Sequence, residues 1–238
     1  VRPGSVHVIR TVVARELLAA GTTRGAWAVH GAFLLLHTGL LAMTLRLHES
    51  VAAAAAAGAM TPPVALLPTQ ARNLALLLVL FAPLVALGSS GPAVRTLHLS
   101  APVRAGAVVT GTWLAASLRL GLLGVVASVP VAFVPVLMEG RGPRLVALAP
   151  SLMLIVGAAC AVAVLAGTIA RRRATAVVLG GTGLLLLWTW GRAADAALAD
   201  RVERLCEGLV VLADLGWLAA LTVSALAVAA AVAEAKRW

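Results

Sequence analysis

An all-α membrane fold is the class this sequence predicts: six transmembrane helices in one domain, preceded by an amphipathic helix lying in the membrane plane. Three observations predict it. Of the 238 residues, 61% are hydrophobic and only 12% are charged, against roughly half and roughly a quarter in a soluble domain. Mean hydropathy is +1.01. The charged residues gather between long apolar runs instead of along them, and six such runs approach the about 20 residues that a helix needs to cross a hydrocarbon core.

Residues 5–20 come first. There Val6, Ile9, Val13 and Leu17 recur at helical spacing, with Arg10 and Arg15 off that stripe, the pattern of a helix resting on a membrane with an apolar side toward lipid. The first span covers about 25–45; its length and the 24 residues ahead of it argue against a cleavable signal. In the exported loop 46–73, Pro62, Pro63 and Pro68 bound short apolar pieces, which predicts broken re-entrant or surface helices. The second span is about 74–91 and the third about 106–129, with a helix able to run on past Pro130 and Pro135 toward Leu137. The fourth, fifth and sixth are about 145–170, 174–191 and 209–233. Gly180, Gly181 and Gly183 permit close helix contact in the fifth. The loop 192–208 mixes acids with arginines and reads as a helix on the outer surface.

A net charge of +10 would suggest nucleic acid in a soluble protein, but in a membrane chain the placement of the cations decides the meaning. Arg2, Arg10, Arg15, Arg24, Arg95, Arg104, Arg171, Arg172, Arg173, Lys236 and Arg237 would share one side with only Glu16 and Glu234. On the other side, Arg46, Arg72, Arg141, Arg144, Arg192, Arg201 and Arg204 nearly cancel against Glu49, Glu139, Asp195, Asp200, Glu203 and Glu207. Both termini are therefore expected in the cytoplasm, and no nucleic-acid partner is expected.

The residues that carry chemistry are few. Lys236 is the sole lysine, so a phosphate-cradling G-x-x-x-x-G-K-[ST] loop is excluded and ATP energy has to come from another chain. Residues 88–91 read G-S-S-G, like the nucleophile motif of rhomboid-like intramembrane proteases, but the last histidine is His98, in a loop, which leaves such a serine without a base. Cys160 and Cys206 have neither C-x-x-C nor Cys/His spacing. His30 and His37 share one face of the first span at i, i+7, where histidines serve most often as hydrogen-bonded residues facing other helices. No catalytic, metal or cofactor site is expected in this chain.

Two charges fall inside spans. Arg119 lies about 13 residues into the third, roughly 20 Å from the cytoplasmic face, and Asp214 about five residues into the sixth from outside, roughly 22 Å from the same face. A lone mid-membrane arginine costs about 2.5–3.5 kcal/mol on insertion scales. An Arg119–Asp214 pair is the economical expectation.

The segment Ala14-Arg15-Glu16-Leu17, followed by Phe33-Leu34-Leu35-Leu36 and Gly39-Leu40, resembles the start of ABC-2 type transporter permeases, particularly the group around gliding-motility and copper-maturation permeases. In that family an in-plane elbow helix with a basic-Glu-Leu signature precedes the first span. The similarity resumes at Ala101-Pro102-Val103, Val108-Val109, Gly111 and Trp113-Leu114-Ala115-Ala116, with Thr112 standing where the family has a lysine. Residues 151–190 look like its fourth and fifth spans. Gly208-Leu209, Asp214, Trp217 and the ending Lys236-Arg237-Trp238 fit its sixth.

The resemblance implies a non-catalytic permease subunit of a bacterial inner membrane, working with a second copy or a paralogous permease and with an ABC ATPase that binds ATP and Mg. Extracytoplasmic or additional membrane subunits are further implied partners. The loop 91–105 would form the coupling helix that docks on the ATPase. Arg15 and Glu16 of the elbow would take part in the coupling, with Arg95, Thr96, Leu97, His98, Pro102 and Arg104 of the loop. The family's acidic residue is missing, since no acid occurs in 50–138, which suggests a specialised partner or the less active member of a permease pair. The alternative is a non-transporting scaffold whose ATP-driven movement acts on an extracytoplasmic partner. An intramembrane enzyme is the third reading.

The charge asymmetry makes a direct prediction for topology. Single cysteines near Gly4, Ala101 and Arg172 should label only from the cytoplasmic side; labelling of position 101 from outside would sink the six-span arrangement.

Overall fold

The computed structural model describes residues 5–56, 66–88, 104–139, 145–190, 197–206, 209 and 211–236. Among these all regular structure is helical: α1 (Ser5–Thr22), α2 (Arg24–Ala56), α3 (Leu66–Gly88), α4 (Ala105–Glu139), α5 (Leu145–Ile169), α6 (Arg173–Thr189), α7 (Leu198–Cys206) and α8 (Leu212–Ala235). Helix is what a chain in hydrocarbon must form, because lipid supplies no partner for a peptide N–H or C=O. Five helices are long and apolar enough to cross a membrane, α2, α3, α4, α5 and α8. The sixth apolar run forms α6, which at 17 residues is about 25 Å long and so a little short of the hydrocarbon core.

The helices extend beyond the apolar runs in two places. α2 continues through Arg46 and Glu49 to Ala56, and its last residues are a run of alanines, the strongest helix formers. α3 begins at Leu66 with Pro68 in its first turn, where a missing N–H costs nothing because that turn has no intrahelical acceptor. The 46–73 segment is thus largely continuous helix at both ends, while Pro62 and Pro63 lie outside the described residues. α4 runs on through Pro130 and Pro135 to Glu139, as expected from the sequence.

α3 and α5 are the most enclosed spans and α2 and α8 the most open. α5 offers Ala158, Ala159, Cys160 and Ala163 to the interior, against Leu74, Leu78, Val79 and Ala82 of α3. Side chains this small bring backbones close, the main source of attraction between helices where burial from lipid gains little. Trp113 of α4 donates its Nε1 hydrogen to the Gly157 carbonyl of α5 at 2.8 Å. The α5–α6 hairpin is tight at Gly180, where a Cβ would stand 3.3 Å from Ala166 and 3.4 Å from Pro83, while Gly181 has open space around it.

α1 packs principally on α4. Its buried residues are Val8, Val12, Glu16 and Ala20, a strict i, i+4 stripe. The stripe read from the sequence is only partly used: Val6 is 80% exposed and Leu17 38%, whereas Ile9 and Val13 are half-buried and Ile9 packs on the contact with α4. The packed side is therefore turned from the expected stripe and shares its edge. The contact depends on Gly111, because a Cβ there would lie 2.8 Å from the Val12 Cβ and 3.3 Å from the Ile9 carbonyl oxygen.

Gly111→Ala should destabilise the protein by about 1–3 kcal/mol, the usual cost of overpacking. Thermal unfolding in detergent checks it. Gly181→Ala, with nothing within 4 Å, should be neutral by the same measurement; equal effects would show that the α1–α4 approach is not close.

Candidate functional site

The residues expected to transmit force fall around the start of α4. Arg104 immediately precedes the helix, and its carbonyl accepts the Ala107 and Val108 amides at 3.1 and 3.5 Å, which makes it the N-terminal boundary residue. Arg95, Thr96, Leu97, His98 and Pro102 lie outside the described residues, as do Ser89, Ser90 and Gly91 of the G-S-S-G motif. Upstream, Arg15 and Glu16 point to different sides of α1: Arg15 is exposed, while Glu16 is 5% exposed within the face that meets α4. The open side of α1 bears a groove of ≈ 620 Å³ lined by His7, Arg10, Thr11, Arg15 and Leu18 among others. Its charged residues are cationic.

The carboxylate of Glu16 is among the charges acting on Arg119. Arg119 is 6% exposed and donates from Nη1 to the Val85 carbonyl of α3 at 3.3 Å. Val85 belongs to the last turn of α3, whose carbonyls have no intrahelical donor, and a cation there also complements the helix dipole. Arg119 caps a helix end.

Asp214 is 1% exposed, and its partners come from α7. Arg201 Nη1 reaches Oδ1 at 2.6 Å, Arg204 Nη2 reaches Oδ1 at 2.9 Å and Arg204 Nε reaches Oδ2 at 2.9 Å. The Arg201 guanidinium also lies 4.9 Å from the centre of the Trp217 ring. The expected Arg119–Asp214 pair is therefore corrected, since each charge is engaged elsewhere. Matched depth was a poor guide for two reasons. α4 has 35 residues, about 52 Å at 1.5 Å each, so it overruns the membrane and a count from its apolar start misplaces Arg119. Asp214, in the first turn of α8, also has two arginines only 13 and 10 positions back along the chain.

The α7 cluster was not singled out from the sequence, although the helix itself was expected. Its signal is legible: Arg201 and Arg204 stand at i, i+3 and so share one face. Arg72 of α3 adds an exposed bridge to Glu203 at 3.3 Å, so α7 is tied to two spans. At the opposite end Lys236 donates to the Thr168 and Ile169 carbonyls, the second at 2.9 Å, and closes the end of α5 as Arg119 closes that of α3. Among the described residues, no three His, Cys, Asp or Glu side chains group as a metal site would.

No protein-family model matches this chain, and no curated protein matches it.

Removing Asp214 would leave two arginines facing each other beside the half-buried Trp217. Asp214→Leu should cost about 3 kcal/mol, the lower end of the range for breaking a buried pair, because Arg204 keeps 30% of its side chain in contact with solvent. In double-mutant cycles on thermal stability, Asp214→Leu should couple to Arg204→Leu and add simply to Arg119→Leu. Coupling to Arg119 instead would restore the pair inferred from depth.

Proposed function

We propose that this chain is the six-span membrane subunit of an ABC-2 type transporter. On this reading both termini are cytoplasmic, α6 is the fifth span, and the host membrane is a bacterial inner membrane. A separate ATPase supplies the energy, and a second permease copy or a paralogue completes the pore. Cargo moves when closure of the ATPase shifts the balance between two arrangements of the spans. The chain makes no covalent bond of its own.

The single observation that carries the proposal is the seating of α1 on α4. α4 follows directly on the segment whose sequence resembles a coupling helix, and its first turns carry the amphipathic helix at Gly111. A push on either element enters the same long helix. The cationic open side of α1 suits an acidic docking surface on an ATPase, and Glu16, turned inward, is positioned for the α1–α4 contact and not for the partner. The resemblance in Arg15-Glu16-Leu17 and Pro102-Val103 points the same way.

The purified chain should hydrolyse no ATP, and an ATPase should co-purify with it from its native membrane. Arg95→Glu, Arg104→Glu or Leu97→Pro should release that ATPase or abolish its response to the membrane subunit. Unchanged binding and ATPase response after deletion of 93–101 would refute the coupling role, and activity of the isolated chain on a membrane substrate would favour an enzyme.

A further inference from the structure

We infer that the seam between α2 and α4 is hydrated inside the membrane, with His37 and His30 binding water there. α2 is the most open of the long spans, and it presents one enclosed stripe to the bundle. Ala26, Phe33, His37 and Leu41 are buried on it, and His30, Leu40 and Thr44 are half-buried beside them. The stripe carries a polar residue at 30, 37 and 44, one every seven positions. That interval is about 10 Å along the helix.

His37 is 4% exposed. Its ring stacks on Phe33, with centroids 6.4 Å apart, and is directed at the backbone of Ala127 in α4. Its Nε2 atom is buried and meets no hydrogen-bond partner from the protein; the same holds for His30 Nε2. His30 lies within the field of Arg119 of α4. Two such atoms, seven positions apart on α2, thus face one seam.

A polar atom buried without a partner costs several kcal/mol in hydrocarbon, so two of them on one stripe call for a ligand that both donates and accepts. Water does both, and buried waters characteristically make about three hydrogen bonds to such groups. A metal ion fits poorly, because no third ligand of the His, Cys, Asp or Glu type joins the histidines among the described residues. A second chain fits poorly too, because the atoms lie between helices of one protomer. Further along the same stripe α2 makes polar contacts with α3: Asn73 Nδ2 donates to Thr44 Oγ1 at 3.4 Å, and Gln70 Nε2 to the Leu41 carbonyl at 3.5 Å. Toward the cytoplasm the seam leads to Arg119 and Glu16. Intramembrane ionisable residues characteristically line water-filled cavities of this kind.

The deciding measurement uses the unaltered protein with ¹⁵N-labelled histidine in phosphatidylcholine–phosphatidylglycerol bilayers. Water-edited solid-state NMR should show rapid transfer of magnetisation from water to the His37 ring, the signal being assigned by its loss in His37→Phe. Absence of transfer to a ring that is otherwise visible overturns the inference. An independent readout uses a background with Cys160→Ala and Cys206→Ser. Ala127→Cys, at the stretch of α4 that His37 faces, should react with 2-aminoethyl methanethiosulfonate, a reagent that thiolates attack in water with loss of methanesulfinate, at least about tenfold faster than Leu122→Cys, whose parent side chain is 66% exposed on the lipid side of α4. Equal rates count against a hydrated seam.

Discussion

A backbone carbonyl that ends a helix in or near hydrocarbon needs a donor, and this fold depends on side chains that supply one from another element. Arg119 reaches the last turn of α3, Lys236 the last turn of α5, and Trp27 the Gly21 carbonyl at the end of α1 at 3.0 Å. In water such groups would be solvated at little cost. In lipid each missing donor costs several kcal/mol, so these few bonds fix how far each helix runs and against which neighbour it ends. The apolar contacts around them add little preference for one neighbour over another, since lipid tails are as apolar as leucine.

Small residues do the complementary work. The alanines of α5 and the close approach at Gly180 let α3, α5 and α6 form the enclosed centre, and Gly111 lets α1 reach α4. Where the glycines have room, as at Gly31, Gly39 and Gly181, the helix faces are open. The same residue type thus marks a contact in one helix and an exposed surface in another, and sequence spacing alone does not separate the two.

That distinction sets how much was legible beforehand. The positions of the long helices were, because apolar runs of the required length have few other structures available to them. The continuation of α4 past Pro130 and Pro135 and the surface helix α7 were legible for the same kind of reason. Two things were not. The side of α1 that packs is centred on Val8, Val12, Glu16 and Ala20, a stripe with a carboxylate in it, while Val6 and Leu17 of the purely apolar stripe stay open; hydrophobic periodicity alone misplaces the packed side. The partner of Asp214 was missed because height in the membrane says nothing about direction around the bundle. Two arginines close along the chain reach it, while Arg119 is turned to a carbonyl.

The arrangement of ties bears on movement as well as stability. At one end of the bundle α7 is bound to α3 through Arg72 and Glu203 and to α8 through Asp214, so α3, α7 and α8 are linked there. At the other end of the bundle Arg119 joins α4 to α3 and Lys236 joins α8 to α5. α2 has fewer such ties: its enclosed stripe rests on Phe33 against Phe81 of α3, on Gln70 and Asn73, and on two histidines facing α4. A span held through weak polar contacts, next to one that carries α1, is the element most easily displaced when α4 is pushed. On the transporter reading, the stroke would open the α2–α4 seam first and leave the α3–α4 and α5–α8 contacts intact, because parting those helices would strip donors from the carbonyls that Arg119 and Lys236 close.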